Sequence, residues 1–134
     1  MLKQVYAFNS EIRKETQPTK PQQMTIQQHH ARAIFLSEEC LEFAEATTPE
    51  GELDALIDII YFAIGGMYEM GLSEKQVQEA FSKVHMANMK KVAGAKLRAA
   101  GIEVTDAAKP DDWLEPDLSV YFKCCGCGGC DGKE

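Results

Sequence analysis

Two groups of carboxylates, Glu38-Glu39-x-x-Glu42 and Asp54-x-x-x-Asp58, are spaced so that two neighbouring helices could turn them toward one place. On a helix of 3.6 residues per turn, Glu38 and Glu42 are offset by about 40°, Glu39 and Glu42 by about 60°, and Asp54 and Asp58 by about 40°. Asp58 interrupts an apolar run from Leu56 to Ile64 and is expected to be buried there. A buried carboxylate without a partner is costly unless it keeps a proton or gains a compensating charge. Few basic residues lie near either group, so divalent cations are the expected compensation. Carboxylates without histidines are the donor set that Mg²⁺ or Mn²⁺ prefers, and the chemistry implied is metal-assisted attack on a phosphate. The bland alternative is that Glu38, Glu39, Glu42 and Glu45 form an ordinary solvated acidic face; Asp58 inside an apolar run weighs against it.

Other metal chemistries fit less well. A di-iron bundle needs Glu-x-x-His from each of two helices, and none of His29, His30 and His85 has a Glu three residues before it. No zincin spacing occurs either.

The elements that must hold these groups are helical. A first helix is expected from about Leu2 to Thr16, with Val5, Phe8 and Ile12 on one face, broken by Pro18 to Pro21. A second runs from beyond Pro21 to about Ala46. Thr48 suits an N-cap and Pro49 the first position of a third helix, which extends to about Met70. So short a connection makes the second and third helices antiparallel neighbours. The third helix is apolar nearly all round after Leu56, which favours an oligomer built on it. Gly65-Gly66 within it point to a close approach by another helix or to a bend, and Gly71 closes it. Ser73-x-x-Gln76 reads as a capping box for a fourth helix carrying Val77, Phe81, Val84, Asn88 and Lys91 on one stripe. Beyond about Ala100 the chain reads as irregular, with a short extended piece at Ser119 to Phe122. Strands are expected to be nearly absent.

Size and charge bound the function. At 134 residues and 45% hydrophobic content the chain suits one core. No stretch is apolar enough to span a bilayer, and the N-terminus lacks the order of a signal peptide. A soluble, cytoplasmic protein is expected. A net charge of −7 argues against binding a nucleic-acid polymer, and an anionic substrate would have to arrive with metal.

The residues resemble the MazG-like, all-α nucleoside triphosphate pyrophosphohydrolases, whose signature is Glu-Glu-x-x-Glu followed on the next helix by Glu-x-x-Asp. Glu38-Glu39-x-x-Glu42 fits the first half, and Asp58 fits the closing Asp. The chain departs from the pattern at Ala55, where the family has Glu; Asp54, one residue earlier, is placed to supply that oxygen. The string from Asp54 to Tyr61, with Gly65 downstream, is similar to the phage and bacterial branch, as is His85-x-x-Asn88-x-x-Lys91. The resemblance implies an all-α, four-helix-bundle-like domain over residues 1–118 with an irregular Cys/Gly-rich tail over 119–134. It implies cleavage of a nucleoside triphosphate, with a leaning toward deoxynucleotides, between the α and β phosphates by a homodimer or homotetramer, in the host cytoplasm if the gene is a phage's. Two or more Mg²⁺ or Mn²⁺ ions would be held by Glu39, Glu42, Asp54 and Asp58, with Glu38 as the base or a further ligand. His85, Asn88 and Lys91 would contact phosphate or sugar. Tyr61 and Trp113 could stack on a base, packing being the alternative for each.

Two alternatives stay open for the whole chain. One is hydrolysis of another pyrophosphate-linked substrate, such as phosphoribosyl-ATP or a damaged nucleotide; the other is a non-catalytic helical adaptor. The tail stands apart. Four of the five cysteines crowd into Cys124 to Cys130, in C-x-x-C-x-x-C spacing with Cys125 beside it. That could hold zinc, though four ligands in seven residues leave little room for tetrahedral closure, or be an oxidation-prone extension.

Overall fold

The chain's local stop and start signals set its helices. In the computed structural model, which describes residues 1–97, 101 and 103–123, the first helix α1 spans Leu2–Glu11 and buries Val5 and Asn9 one turn apart. It ends sooner than the apolar spacing predicts. Lys14 takes a positive φ of 56°, and the Arg13 and Glu15 amides donate back to the carbonyls of Phe8 and Asn9, so the chain turns away before Thr16. Helix α2, Ile26–Glu45, starts at a reciprocal cap: the Thr25 side chain accepts from the Gln28 amide, and the Gln28 side chain accepts from the Thr25 amide. Helix α3, Pro49–Glu69, starts where expected, with Thr48 accepting from the Gly51 amide and Pro49 in the first turn. Gly71 closes it with a φ of +75°, and a Cβ there would lie 2.6 Å from the Lys20 carbonyl oxygen.

Helix α4, Glu74–Asn88, is followed by an antiparallel hairpin of β1, Val92–Leu97, and β2, Glu103–Ala108, in which Val92 pairs with Ala108 and Leu97 with Glu103. The architecture is all-α in its four helices, as the sequence predicts. The hairpin is not predicted. β1 is rich in Ala and Gly and β2 ends in two Ala, residues that carry no strand signal. The extended piece expected at Ser119 to Phe122 is a single 3₁₀ turn, Ser119–Tyr121, capped by Asp117, whose Oδ1 accepts from the Ser119 amide at 2.9 Å.

Two compact units divide the chain, Met1–Glu74 and Lys75–Glu134. In the first, α2 and α3 pack along their length and α1 lies on α3. Phe35 of α2 meets Phe62 of α3 with ring centroids 5.3 Å apart, while Phe8 and Tyr6 of α1 meet Tyr61 and Tyr68 edge to face at 5.4 and 5.1 Å. Val5, Ala55, Ile64, Tyr68 and Leu72 form the core. The middle of α3 is not enclosed within the unit. Leu53, Leu56, Ile57 and Ile60 are exposed in a unit where α1 and α2 are the helices that pack on α3. In the second unit Val77 and Ala87 are buried, and the Trp113 indole N–H donates to the Ala87 carbonyl at 2.7 Å. No single helix among the described residues is long and apolar enough to cross a membrane.

Candidate active site

The short link between α2 and α3 makes every step along one helix a matching step back along the other. Phe35 faces Phe62. Four residues on from Phe35 is Glu39, and four residues back from Phe62 is Asp58, so one further turn brings these two carboxylates across from each other. The electrostatics agree. Burial, then the like charges of Glu42, Asp58, Glu38 and Asp54 in that order, raise the Glu39 carboxyl above its ordinary value. One carboxylate oxygen of Glu39, Oε2, is shut off from solvent and has no hydrogen-bond partner. Among the described residues, no Lys or Arg forms an ion pair with any of these five carboxylates.

The five groups therefore share one neighbourhood, but they do not form a ready-made cage. Among the described residues, no three carboxylate, His or Cys side chains close round a point that would hold a metal ion. Glu38, Glu42 and Asp54 are exposed, and Glu39 and Asp58 are half-buried. Like charges without a counter-ion spread toward water. Asp58 is thus less enclosed than its apolar flanks predict, since Leu56, Ile57 and Ile60 around it are themselves exposed. Ala55, standing where the family pattern has Glu, is buried, while Asp54 beside it reaches solvent one turn from Asp58. The donor chemistry suits a hard divalent cation: oxygen ligands only, net negative charge, and an orphaned oxygen on Glu39.

The other expected site residues are placed as follows. Tyr61 is half-buried against Phe8, a packing contact. His85 and Asn88 are exposed on α4, in the second unit. The stripe expected to run helically through Lys91 does not, because α4 ends at Asn88. Lys91 lies past that end with its Nζ 5.5 Å from the centre of the Trp113 ring, and Lys109 reaches the same ring at 4.1 Å. Trp113 thus has a packing role. Cys124 to Cys130 lie outside the described residues.

A buried ion pair escaped the sequence reading. Arg32 of α2 and Glu69 of α3 are 4% and 7% exposed, and the Arg32 Nη2 donates to Glu69 Oε1. The Arg32 Nη1 also donates to the Phe62 carbonyl at 3.2 Å, and the guanidinium lies 5.8 and 5.9 Å from the Phe35 and Phe62 ring centres. Gly65 and Gly66 make room for it: a Cβ on Gly65 would stand 2.9 Å from Nη1, and one on Gly66 would stand 3.4 Å from the Arg32 Cγ. The close approach expected at these glycines is that of an arginine side chain. Arg13 joins the group, 3.7 Å from Glu69 Oε1 and 2.7 Å from Glu15 Oε1. A glycine pair inside an apolar helix was the available signal; which residue would fill the notch was not in it.

No curated protein matches the chain at a significant level. A family model described as phosphoribosyl-ATP pyrophosphohydrolase matches residues 5–88, a span that contains all five carboxylates, His85 and Asn88 and stops short of Lys91. That family acts as pyrophosphohydrolases on nucleotide-like substrates. With well over half its length in the match, the chain belongs to the phosphoribosyl-ATP pyrophosphohydrolase family, within the MazG-like all-α nucleoside triphosphate pyrophosphohydrolase superfamily.

Proposed function

We propose that the protein hydrolyses a nucleoside or deoxynucleoside triphosphate between its α and β phosphates, giving the monophosphate and pyrophosphate, with Mg²⁺ or Mn²⁺ as cofactor. The observation that carries this reading is Glu39: a partly buried carboxylate with an orphaned oxygen, acted on by four other carboxylates and, among the described residues, in no ion pair with Lys or Arg. Such a group is unfavourable in the isolated protein and favourable once positive charge enters with a substrate. Glu39, Glu42, Asp54 and Asp58 would hold two or more ions. When bound, these ions supply charge neutralisation for the polyphosphate and Lewis acidity at the attacked phosphorus.

Glu38, exposed beside that group, orients the attacking water and takes its proton. The proton leaves the water as its oxygen bonds to the α phosphorus, and pyrophosphate departs with the electron pair of the broken bond. His85, Asn88 and Lys91 would contact phosphate or sugar, with Lys91 as a mobile point charge. Tyr61 would offer a ring edge to a base. The exposed Leu53, Leu56, Ile57 and Ile60 of α3 support a homodimer or homotetramer. A net charge of −7 disfavours a nucleic-acid polymer as partner.

A second reading, hydrolysis of phosphoribosyl-ATP, is favoured by the family match. It cleaves the same bond, and only the base end of the substrate differs. Incubation with each nucleoside triphosphate, each deoxynucleoside triphosphate and phosphoribosyl-ATP, with metal or with chelator, separates the two. Pyrophosphate is the expected product, and only with metal. Orthophosphate and a diphosphate would refute the cleavage position, and undiminished turnover under chelator would refute the cofactor.

A further inference from the structure

Arg13 spans two carboxyls. Its Nη2 is 2.7 Å from Glu15 Oε1 and its Nη1 is 3.7 Å from Glu69 Oε1, so each carboxyl has one oxygen left over. Those oxygens, Glu15 Oε2 and Glu69 Oε2, are both shut off from water and have no hydrogen-bond partner. Arg32 directs its Nη2 to Glu69 Oε1 and its Nη1 to the Phe62 carbonyl. The Glu15 carboxyl is within hydrogen-bonding reach of the Glu69 carboxyl, yet two carboxylates have no hydrogen to give each other. A single proton resolves this. Carried on Glu15, it lets the O–H donate to Glu69, and both shielded oxygens gain a partner at once.

Charge and exposure say which carboxyl carries the proton. Arg32 and Glu69 are a buried pair that balance each other, with side chains 5% and 8% exposed. Arg13 and Glu15, at 30% and 26%, are partly screened by solvent, so neutral Glu15 leaves no buried charge unpaired and has a route for its proton to come and go. Burial is the largest influence on the Glu15 carboxyl. The charge of Arg13 opposes it, that of Glu69 adds to it, that of Arg32 opposes it, and the hydrogen bond to Glu69 adds again, which leaves the group above its ordinary 4.5. Among the described residues, these are the charged groups that act on it from the α1 exit, from α2 and from α3.

The two carboxyls sit on segments that meet here. Glu15 belongs to the turn leaving α1, where its amide donates to the Asn9 carbonyl at 3.0 Å and its carbonyl accepts from the Tyr68 hydroxyl at 2.9 Å. Glu69 is the last residue of α3. A hydrogen bond between the carboxyls ties these segments together, and two negative charges in its place push them apart.

We propose that Glu15 and Glu69 share one proton, carried by Glu15 and donated to Glu69, and that this proton is a clasp that holds the α1 exit on the end of α3 and releases it when the proton passes to water. On release the O–H bond of Glu15 breaks, its electron pair stays on the oxygen, and Glu69 remains ionised beside Arg32. Because the Glu15 value in the folded protein lies above 4.5, the clasp contributes in full below pH 4.5 and is lost as pH rises through the raised value. Neither carboxyl belongs to the acidic group on α2 and α3, so the clasp acts whatever that group binds.

The test follows the full chain and its Glu15→Gln variant over a pH series under chelator. Glutamine keeps an N–H donor toward Glu69 at every pH, so the variant has a clasp that cannot open. Carboxyl-carbon NMR, with Glu15 assigned through the backbone, is expected to show Glu15 titrating above 4.5. Amide hydrogen exchange of the peptide from Arg13 to Gln17, read as the ratio of wild type to variant at each pH, is expected to stay near one below that midpoint and to rise severalfold above it. A Glu15 that titrates at or below 4.5, a ratio that does not change with pH, or a rise spread evenly over all helices overturns the proposal. Should the variant fold poorly, the wild type decides alone. A common midpoint for the Glu15 titration and for the loss of protection in its peptide, corrected for intrinsic exchange, upholds the clasp, and separate midpoints overturn it.

Discussion

Gly65→Ala tests whether the notch on α3 exists to admit Arg32. In an ordinary helix interior this change stabilises by about 1 kcal/mol, because alanine is the better helix former. Here the new Cβ would stand 2.9 Å from the Arg32 Nη1 and 3.4 Å from its Cζ, inside ordinary contact. Arginine ends are usually free to move aside, but this one is held by Glu69 and the Phe62 carbonyl, between two aromatic rings, with its side chain only 5% exposed. Moving it out separates a buried pair, which costs about 3 to 5 kcal/mol. Setting the propensity gain against that loss gives a net destabilisation of about 2 to 4 kcal/mol. Gly66→Ala is the control. Its Cβ would meet the tip of Met24 at 3.2 Å and the Arg32 Cγ at 3.4 Å, and a methionine end yields readily, so the change should stay within about 1 kcal/mol. Urea unfolding followed by helical circular dichroism measures both. In a background where Arg32 and Glu69 are both methionine, Gly65→Ala should turn neutral or stabilising. A Gly65→Ala protein as stable as the wild type, with the ion pair present, would refute the reasoning.

The acidic group makes three further predictions. Asp58→Asn removes one of the charges acting on Glu39, so under chelator the protein should melt no lower than wild type, while its gain from Mn²⁺ and its turnover should fall sharply; a large loss under chelator with an undiminished Mn²⁺ gain would make Asp58 a framework residue. Glu39 has a folded-state pKa raised above its ordinary 4.5, so on acidification the folded state takes up its proton first. The stability this contributes is present below pH 4.5 and is lost as pH rises through the raised value, so without metal Glu39→Gln should melt higher than wild type at pH 7, with the gap closing on acidification; a gap that widens toward low pH would reverse the sign. Ending the chain at Lys123 should leave pyrophosphate release intact, and loss of release at unchanged helical content would bring the cysteines into the site.

Features that depend on a few consecutive residues were legible in the sequence. Thr48-Pro49 opens α3 and Gly71 closes it because caps and positive-φ turns act within one turn of chain. The carboxylates on α2 and α3 could be brought together from spacing alone, since a three-residue link leaves antiparallel packing as the compact arrangement. What depended on distant partners was not legible. Arg32 and Glu69 are 37 residues apart, and nothing near either one names the other. The α1 exit at Lys14 was hidden by an apolar spacing that continues to Ile12. The hairpin after α4 was hidden by strands whose side chains carry no alternating pattern. Asp58 was expected to be enclosed because a helix read by itself does not reveal how few neighbours its own chain supplies.

The notch at Gly65 and Gly66 also indexes one helix against the other. Apolar faces such as those of α2 and α3 can slide by a turn at modest cost, since one aliphatic contact substitutes for another. A guanidinium cannot: a shift of one turn along α3 would carry Arg32 from the paired glycines onto side chains, and away from the Glu69 carboxylate that it pairs with. The pair works like a key in a slot, and a buried polar contact that sets register is its best-attested use. Seven residues further along α2 the same setting decides that Glu39 stands opposite Asp58, so the alignment of the acidic group is fixed from a point about 10 Å away that touches none of its members.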